Sequence, residues 1–256
     1  MLFRSFAGIA AALTITLSTA AFSQEVDEPR QILFVGNSYF YYNDSLHNHV
    51  SRLLQEAQGL PGSDLRYRSI TISGGSLSHH PIAHYLTENA VGYDTPFDVV
   101  ILQGHSAAAN SDSRRAAFRD AVIAADGLIR RHGARTALYM THAYAEGHDS
   151  YDAEGTNRLA DLYSKVGAEI DAAVIPVGLA FEEAKRRRPD IELHVEFDHS
   201  HPSLLGTYLA AATTYATLYE ASPVGLSYDY YGRIDAEDVA FLQQVAADTV
   251  ETFQAR

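Results

Sequence analysis

Three residue types that together make a hydroxyl reactive lie just past apolar runs: Ser38 in Gly36-Asn37-Ser38-Tyr39-Phe40, and Asp198 and His201 in Asp198-His199-Ser200-His201-Pro202. A serine hydroxyl is a weak nucleophile until an imidazole removes its proton, and the imidazole needs a carboxylate to fix its tautomer and balance its charge. Three-residue spacing lets the Asp198 carboxylate reach back to the His201 ring. Pro202 suits the first position of a helix, which would put His201 near that helix's positive end. A developing oxyanion needs donors. Gly74 or Gly75 in Ser73-Gly74-Gly75-Ser76 can bring a bare N–H close, as can Ser38 if its turn opens a helix. Gln103-Gly104-His105-Ser106 follows a third apolar run. Tyr39, Gly75, His142 and Tyr144 are the candidates to touch substrate; Phe40, Tyr41 and Tyr42 extend an aromatic run that either lines a pocket or is buried.

Other chemistries are weaker. His80 and His84 are spaced i, i+4 with His79 adjacent, but no Glu follows His80 as in the zinc-protease motif and Pro81 suits only a helix start, so no metal is expected. Gly104-His105-Ser106 imitates a nucleophile elbow with Ser106 as nucleophile. Ala108 replaces its second glycine, however, and Asn110, Ser111 and Asp112 interrupt the helix that should follow at once. Lys185-Arg186-Arg187-Arg188 reads as a solvated helix end.

The elements that must hold these residues follow from periodicity. Ile32 to Val35, Tyr67 to Ile72, Asp98 to Gln103, Ala137 to Met140 and Ala173 to Val177 read as strands. Leu46, Val50, Leu53, Leu54 and Ala57 mark one helix face, with Asp44 as its expected cap. Phe118, Val122, Ala125 and Ile129 mark a second that Gly133 ends, and Leu159, Leu162, Val166 and Ile170 a third. Alternating strand and helix predicts an α/β fold with a central parallel sheet flanked by helices. Ligands in such folds sit beyond the carboxyl ends of the strands, where the segments above lie.

Composition narrows the partners. Among 256 residues, 32 Asp plus Glu outweigh 19 Lys plus Arg, which argues against nucleic acid. There is no cysteine, so disulfides and thiol chemistry are excluded. Arg4, the apolar stretch from Phe6 to Leu17 and the small residues Ser18, Ala20, Ala21 and Ser23 read as an export signal over residues 1–23. That stretch is shorter than the roughly 20 residues a spanning helix needs. The expectation is a single domain over residues 24–256, periplasmic or secreted, without stable membrane insertion.

Ile32-Leu33-Phe34-Val35-Gly36-Asn37-Ser38, Ser73-Gly74-Gly75, Val99-Val100-Ile101-Leu102-Gln103-Gly104 and Asp198-x-x-His201-Pro202 resemble the ordered blocks of the SGNH/GDSL hydrolases over roughly residues 31–219. The resemblance implies a three-layer, flavodoxin-like fold and cofactor-free hydrolysis of esters, often acyl groups on carbohydrates or lipids. It further implies Ser38 as nucleophile, His201 as base, Asp198 as its orienter, and backbone oxyanion donors at Ser38 and Gly74. Two positions depart from the family pattern. Asn37 stands where Asp is commoner, as in a Gly-Asn-Ser subgroup, and Ser106 stands where an Asn amide usually donates to the oxyanion, so the Ser106 hydroxyl or the Gln103 amide is the expected third donor. A short acyl ester, acetyl foremost, on a small molecule or glycan is the expected substrate; a lipase or lysophospholipase, an α/β-hydrolase using Ser106 and a non-catalytic exported binding protein are the alternatives.

Overall fold

Ile32, Leu33, Phe34 and Val35 are all fully buried, as a strand covered on both faces requires. The computed structural model describes residues 28–255, so the export signal expected at residues 1–23 lies outside the described residues. In chain order the elements are β1 (Gln31–Gly36), α1 (Ser38–Tyr41), α2 (Leu46–Gln58), β2 (Arg66–Thr71), α3 (Ile82–Tyr85), β3 (Val99–Gln103), α4 (Asp112–Arg131), β4 (Arg135–Tyr139), α5 (Gly155–Glu169), β5 (Ala173–Ile175), α6 (Val177–Arg187), α7 (Leu204–Tyr219) and α8 (Ala236–Gln254). Every strand pair is parallel and the order is β2-β1-β3-β4-β5.

Alternation along β1 divides the core. Ile32 and Phe34 face a cluster with α2, α6, α7 and α8, whereas Leu33 and Val35 face one that includes Phe118 and Val122 of α4 and Leu159 and Tyr163 of α5. The result is three layers with the sheet in the middle. Chain order reverses between β1 and β3, so a crevice opens at their carboxyl ends, where ligands collect in this topology. Ser38 follows one of those strands and Gln103 ends the other.

Three local expectations are corrected. Asp44 does not cap α2: Ser45 holds that position without a side-chain bond, and Asn43, Asp44 and Ser45 all take positive φ. Pro202 does not open a helix. It bridges His194, and α7 begins at Leu204 behind Ser203, whose hydroxyl accepts from Gly206 N–H at 3.1 Å. The last strand stops at Ile175, because Pro176 has no N–H to extend the ladder and Val177 already starts α6. Among the described residues, no helix is long and apolar enough to cross a membrane.

Candidate active site

The turn after β1 is held from two sides. Asn37 caps α1 by accepting from Tyr39 N–H through Oδ1 at 3.2 Å, while its carbonyl accepts from Phe40 N–H at 3.0 Å. Gln103 accepts from Asn37 N–H through Oε1 at 3.0 Å, and its Nε2 donates to Asn37 Oδ1 at 2.7 Å and to the Gly104 carbonyl at 3.0 Å. Asn37 Nδ2 in turn donates to the Gly75 carbonyl at 3.1 Å. This network leaves Ser38 N–H at the helix start with no acceptor among the described residues. Gly36 must be glycine here, since a Cβ would collide with Gln103 and with the Phe40 ring.

Ser38 Oγ lies 2.7 Å from His201 Nε2, and His201 Nδ1 lies 2.6 Å from Asp198 Oδ2. The other Asp198 oxygen accepts from the N–H groups of Ser200 at 2.9 Å and His201 at 3.0 Å. Burial pushes the Asp198 carboxyl up, but the His201 and Ser200 bonds outweigh it and hold the group below the usual carboxylate range. It is therefore ionised at neutral pH. The Tyr42 ring stacks on His201 at 4.2 Å and 11°.

The loop carrying Asp198 and His201 is pinned by residues the sequence analysis did not single out for that task. Asn43 Nδ2 donates to the Pro202 carbonyl at 2.9 Å and to Thr207 Oγ1 at 2.7 Å. Ser200 Oγ bonds the Tyr39 hydroxyl at 2.8 Å. No periodicity marks Asn43 or Ser200. The one available signal was a polar residue in an αL-tolerant position directly after the aromatic run.

Several expected contacts are corrected. Gln103 is no oxyanion donor, because both Nε2 bonds are committed to Asn37 and Gly104. Tyr39 is 4% exposed and turned inward, its ring stacked on His142 at 4.3 Å. His142 is 1% exposed, lies between Tyr39 and Phe181, and its Nε2 donates to the Ser200 carbonyl at 2.9 Å, so it braces the loop from beneath. Gly75 is buried and its N–H donates to the Ile72 carbonyl at 2.8 Å, closing the turn instead of meeting a ligand. Gly74 is exposed, has φ +63° and open space above it, which leaves its N–H available. Ser106 Oγ bonds the Tyr144 hydroxyl at 2.7 Å, and the Tyr144 ring stacks on His148. Ser106 has no imidazole partner, since His105 Nδ1 accepts from Ala107 N–H, and the next helix waits until Asp112. That is not a nucleophile elbow. In the histidine cluster, His80 Nε2 donates to the Gly36 carbonyl and His79 Nδ1 accepts from Ser76 N–H, so two of its three rings are held by turns near the site.

Gln103→Leu should expose the consequence of this bracing. It removes no volume but strands the buried Asn37 N–H, at a cost of about 1–3 kcal/mol, and leaves Asn37 Oδ1 with the Tyr39 N–H alone. We expect a Tm lower by several degrees and kcat/KM lower by about tenfold to a hundredfold, with wild-type KM. Calorimetry and initial rates check both; an unchanged kcat at reduced Tm would confine Gln103 to stability.

Against this geometry, similarity to solved structures becomes informative. A DUF4886 family protein from Bacteroides uniformis superposes with a TM-score of 0.64 at 16% identity, covering 86% of this chain and 94% of that one. A Slackia heliotrinireducens protein provisionally named an SGNH hydrolase superposes at 0.61 with 22% identity, covering 74% of this chain and 99% of that one. The fold is that of the SGNH hydrolases. An acetyl xylan esterase shares this SGNH fold with a TM-score of 0.56 at 14% identity, covering 73% of this chain and 98% of its own. No family model and no curated protein matches the chain.

Proposed function

We propose that the protein is a serine ester hydrolase that removes short acyl groups, acetyl foremost, from carbohydrate alcohols. The observation that carries this reading is the continuous contact Ser38 Oγ–His201 Nε2, 2.7 Å, and His201 Nδ1–Asp198 Oδ2, 2.6 Å, at the switch point of an SGNH fold. In this mechanism Ser38 Oγ attacks the acyl carbon while its proton passes to His201 Nε2, and Asp198 balances the imidazolium. The proton then goes to the departing alkoxide and leaves an acyl-Ser38 ester. Water, deprotonated by the same nitrogen, releases the acid and restores Ser38. The oxyanion is met by the free N–H groups of Ser38 and Gly74, with the Ser106 hydroxyl as third donor, held by Tyr144. No step draws on a cofactor.

Short acyl preference is supported by the small space beside the donor turns. A cavity of about 90 Å³ lies against Ser76, Leu77, His105, Ala108 and Phe118, well below the ~300 Å³ at which most small-molecule sites begin. The acetyl xylan esterase neighbour and the export signal read over residues 1–23 favour a carbohydrate ester met outside the cytoplasm.

The test is kcat/KM on p-nitrophenyl esters from acetyl to octanoyl, together with active-site labelling by a fluorophosphonate. We expect a steady fall with acyl length and label on Ser38 alone. A rise with length would indicate a lipase or lysophospholipase. No turnover and no labelled serine would indicate a binding protein.

A further inference from the structure

A cavity of about 500 Å³ adjoins the loop that carries Asp198 and His201, within the ~300–1,000 Å³ range of small-molecule sites. It lies between the segment after β4, the start of α5, Phe181, Glu182 and Lys185 of α6, and the chain from Glu192 to His199. Two of its walls are fastened to the catalytic elements. His199, the residue between Asp198 and Ser200, lines it and its carbonyl accepts from Ala145 N–H at 2.9 Å. Tyr144 lines it as well and reaches Ser106 with its hydroxyl.

The lining has a definite chemistry. Glu146, Asp152, Glu182 and Glu192 face the space against a single ammonium, Lys185. Lys185 is already 3.7 Å from Glu192, and Asp152 is paired with Arg158 outside the lining, whereas Glu146 is exposed and unpaired. Tyr151 stands 48% exposed at the rim, and the buried Nδ1 of His194 has no hydrogen-bond partner. An acyl chain placed here would strand those carboxylates without water. A phosphate or uronate would meet like charge. Hydroxyl groups donate to carboxylates, and tyrosine faces cover the C–H faces of pyranose rings, so an uncharged polyol satisfies both parts of the wall.

We propose that this cavity receives the alcohol half of the ester and selects an uncharged oligosaccharide over phosphate- or carboxylate-bearing alcohols, an inference that rests on the serine esterase reading above. The leaving group then sits on the His199 side of the loop that carries Asp198 and His201.

The experiment measures binding of the free alcohol, so that it does not depend on turnover. Isothermal titration of Ser38→Ala protein with xylotetraose, cellotetraose and chitotetraose should give saturable binding of at least one, and tetragalacturonate should bind at least tenfold more weakly. Adding Glu146→Gln and Glu182→Gln should weaken binding of the neutral sugar at least tenfold. Both positions are exposed, and Tyr151→Ala gives an independent second variant expected to weaken it similarly. The proposal is overturned if no neutral tetrasaccharide binds, if tetragalacturonate binds equally well, or if neither set of substitutions changes affinity. Failure of the esterase reading is seen separately, as p-nitrophenyl acetate left intact by the wild-type protein.

Discussion

Ser38→Ala is expected to lower kcat by roughly 10⁴- to 10⁶-fold while leaving the fold intact. The size of the effect follows from the geometry. His201 Nε2 holds the Ser38 hydroxyl at 2.7 Å, and without it water must attack with no acyl-enzyme to divide the barrier. Alanine keeps the backbone N–H that serves the oxyanion, so the residual rate reports the donors alone. Folding loses one side-chain hydrogen bond, about 1 kcal/mol. Ser106→Ala should cost at most about a thousandfold, as the loss of one oxyanion donor does. Steady-state rates with burst-phase titration of acyl-enzyme distinguish the two. An inactive Ser106→Ala beside an active Ser38→Ala would transfer the nucleophile to the other strand end.

Stability should fall steeply as the pH drops from about 6.5 to about 4, before the bulk of the carboxylates titrate. Burial pushes His47 down to about 4, with Arg68 adding to the effect and Asp44 opposing it. His194 is likewise pushed down to about 4 by burial, with Lys185 adding to it and its bond to the Ala143 carbonyl, Asp198 and Glu192 opposing it. His142, sealed between Tyr39 and Phe181, is held well below the ordinary histidine value by the same cause. In the folded chain these rings stay neutral, whereas in the unfolded chain each takes a proton near pH 6.5. Between the two values the unfolded state binds more protons, so stability rises with pH and is lost on acidification. The shift at His47 or at His194 amounts to as much as about 3 kcal/mol. Asp198 acts in a different window: its depressed carboxyl contributes above the ordinary carboxylate value and loses that contribution only as pH falls further. Thermal unfolding from pH 7.5 to 4.5 measures the slope. A flat Tm between pH 7 and 5 would contradict neutral burial of these rings, and His47→Gln should flatten the slope in part.

Much of the architecture was already legible along the chain. Short apolar runs rich in β-branched residues, such as Val99–Leu102, suit a strand covered on both faces, and their alternation with 3.6-residue periodicities points to a parallel sheet between helices. The same logic put Ser38, Gly74 and the Asp198–His201 segment at loop positions, and three-residue spacing sufficed to predict that Asp198 could reach the His201 ring. These are local properties, set by a few dihedral angles and by which side chains must leave water.

What tertiary structure alone decided is which polar groups remain free. Gln103, His142 and Tyr39 carry the functional groups expected of donors and binders. Packing brings each against a partner distant in the sequence: Gln103 to Asn37, Tyr39 to Ser200, and His142 to the Ser200 carbonyl. A buried polar group must be paired, so these became braces for Ser38 and His201. Gly75 was consumed by its own turn while Gly74, one residue earlier, kept its N–H. The acidic cavity beside His199 had no signal either, because its walls come from segments between Ala143 and His199 that meet only when α5 and α6 pack beside β4 and β5. Residue type states what a side chain can do. Its long-range neighbours determine which of those bonds is still unmade when a substrate arrives.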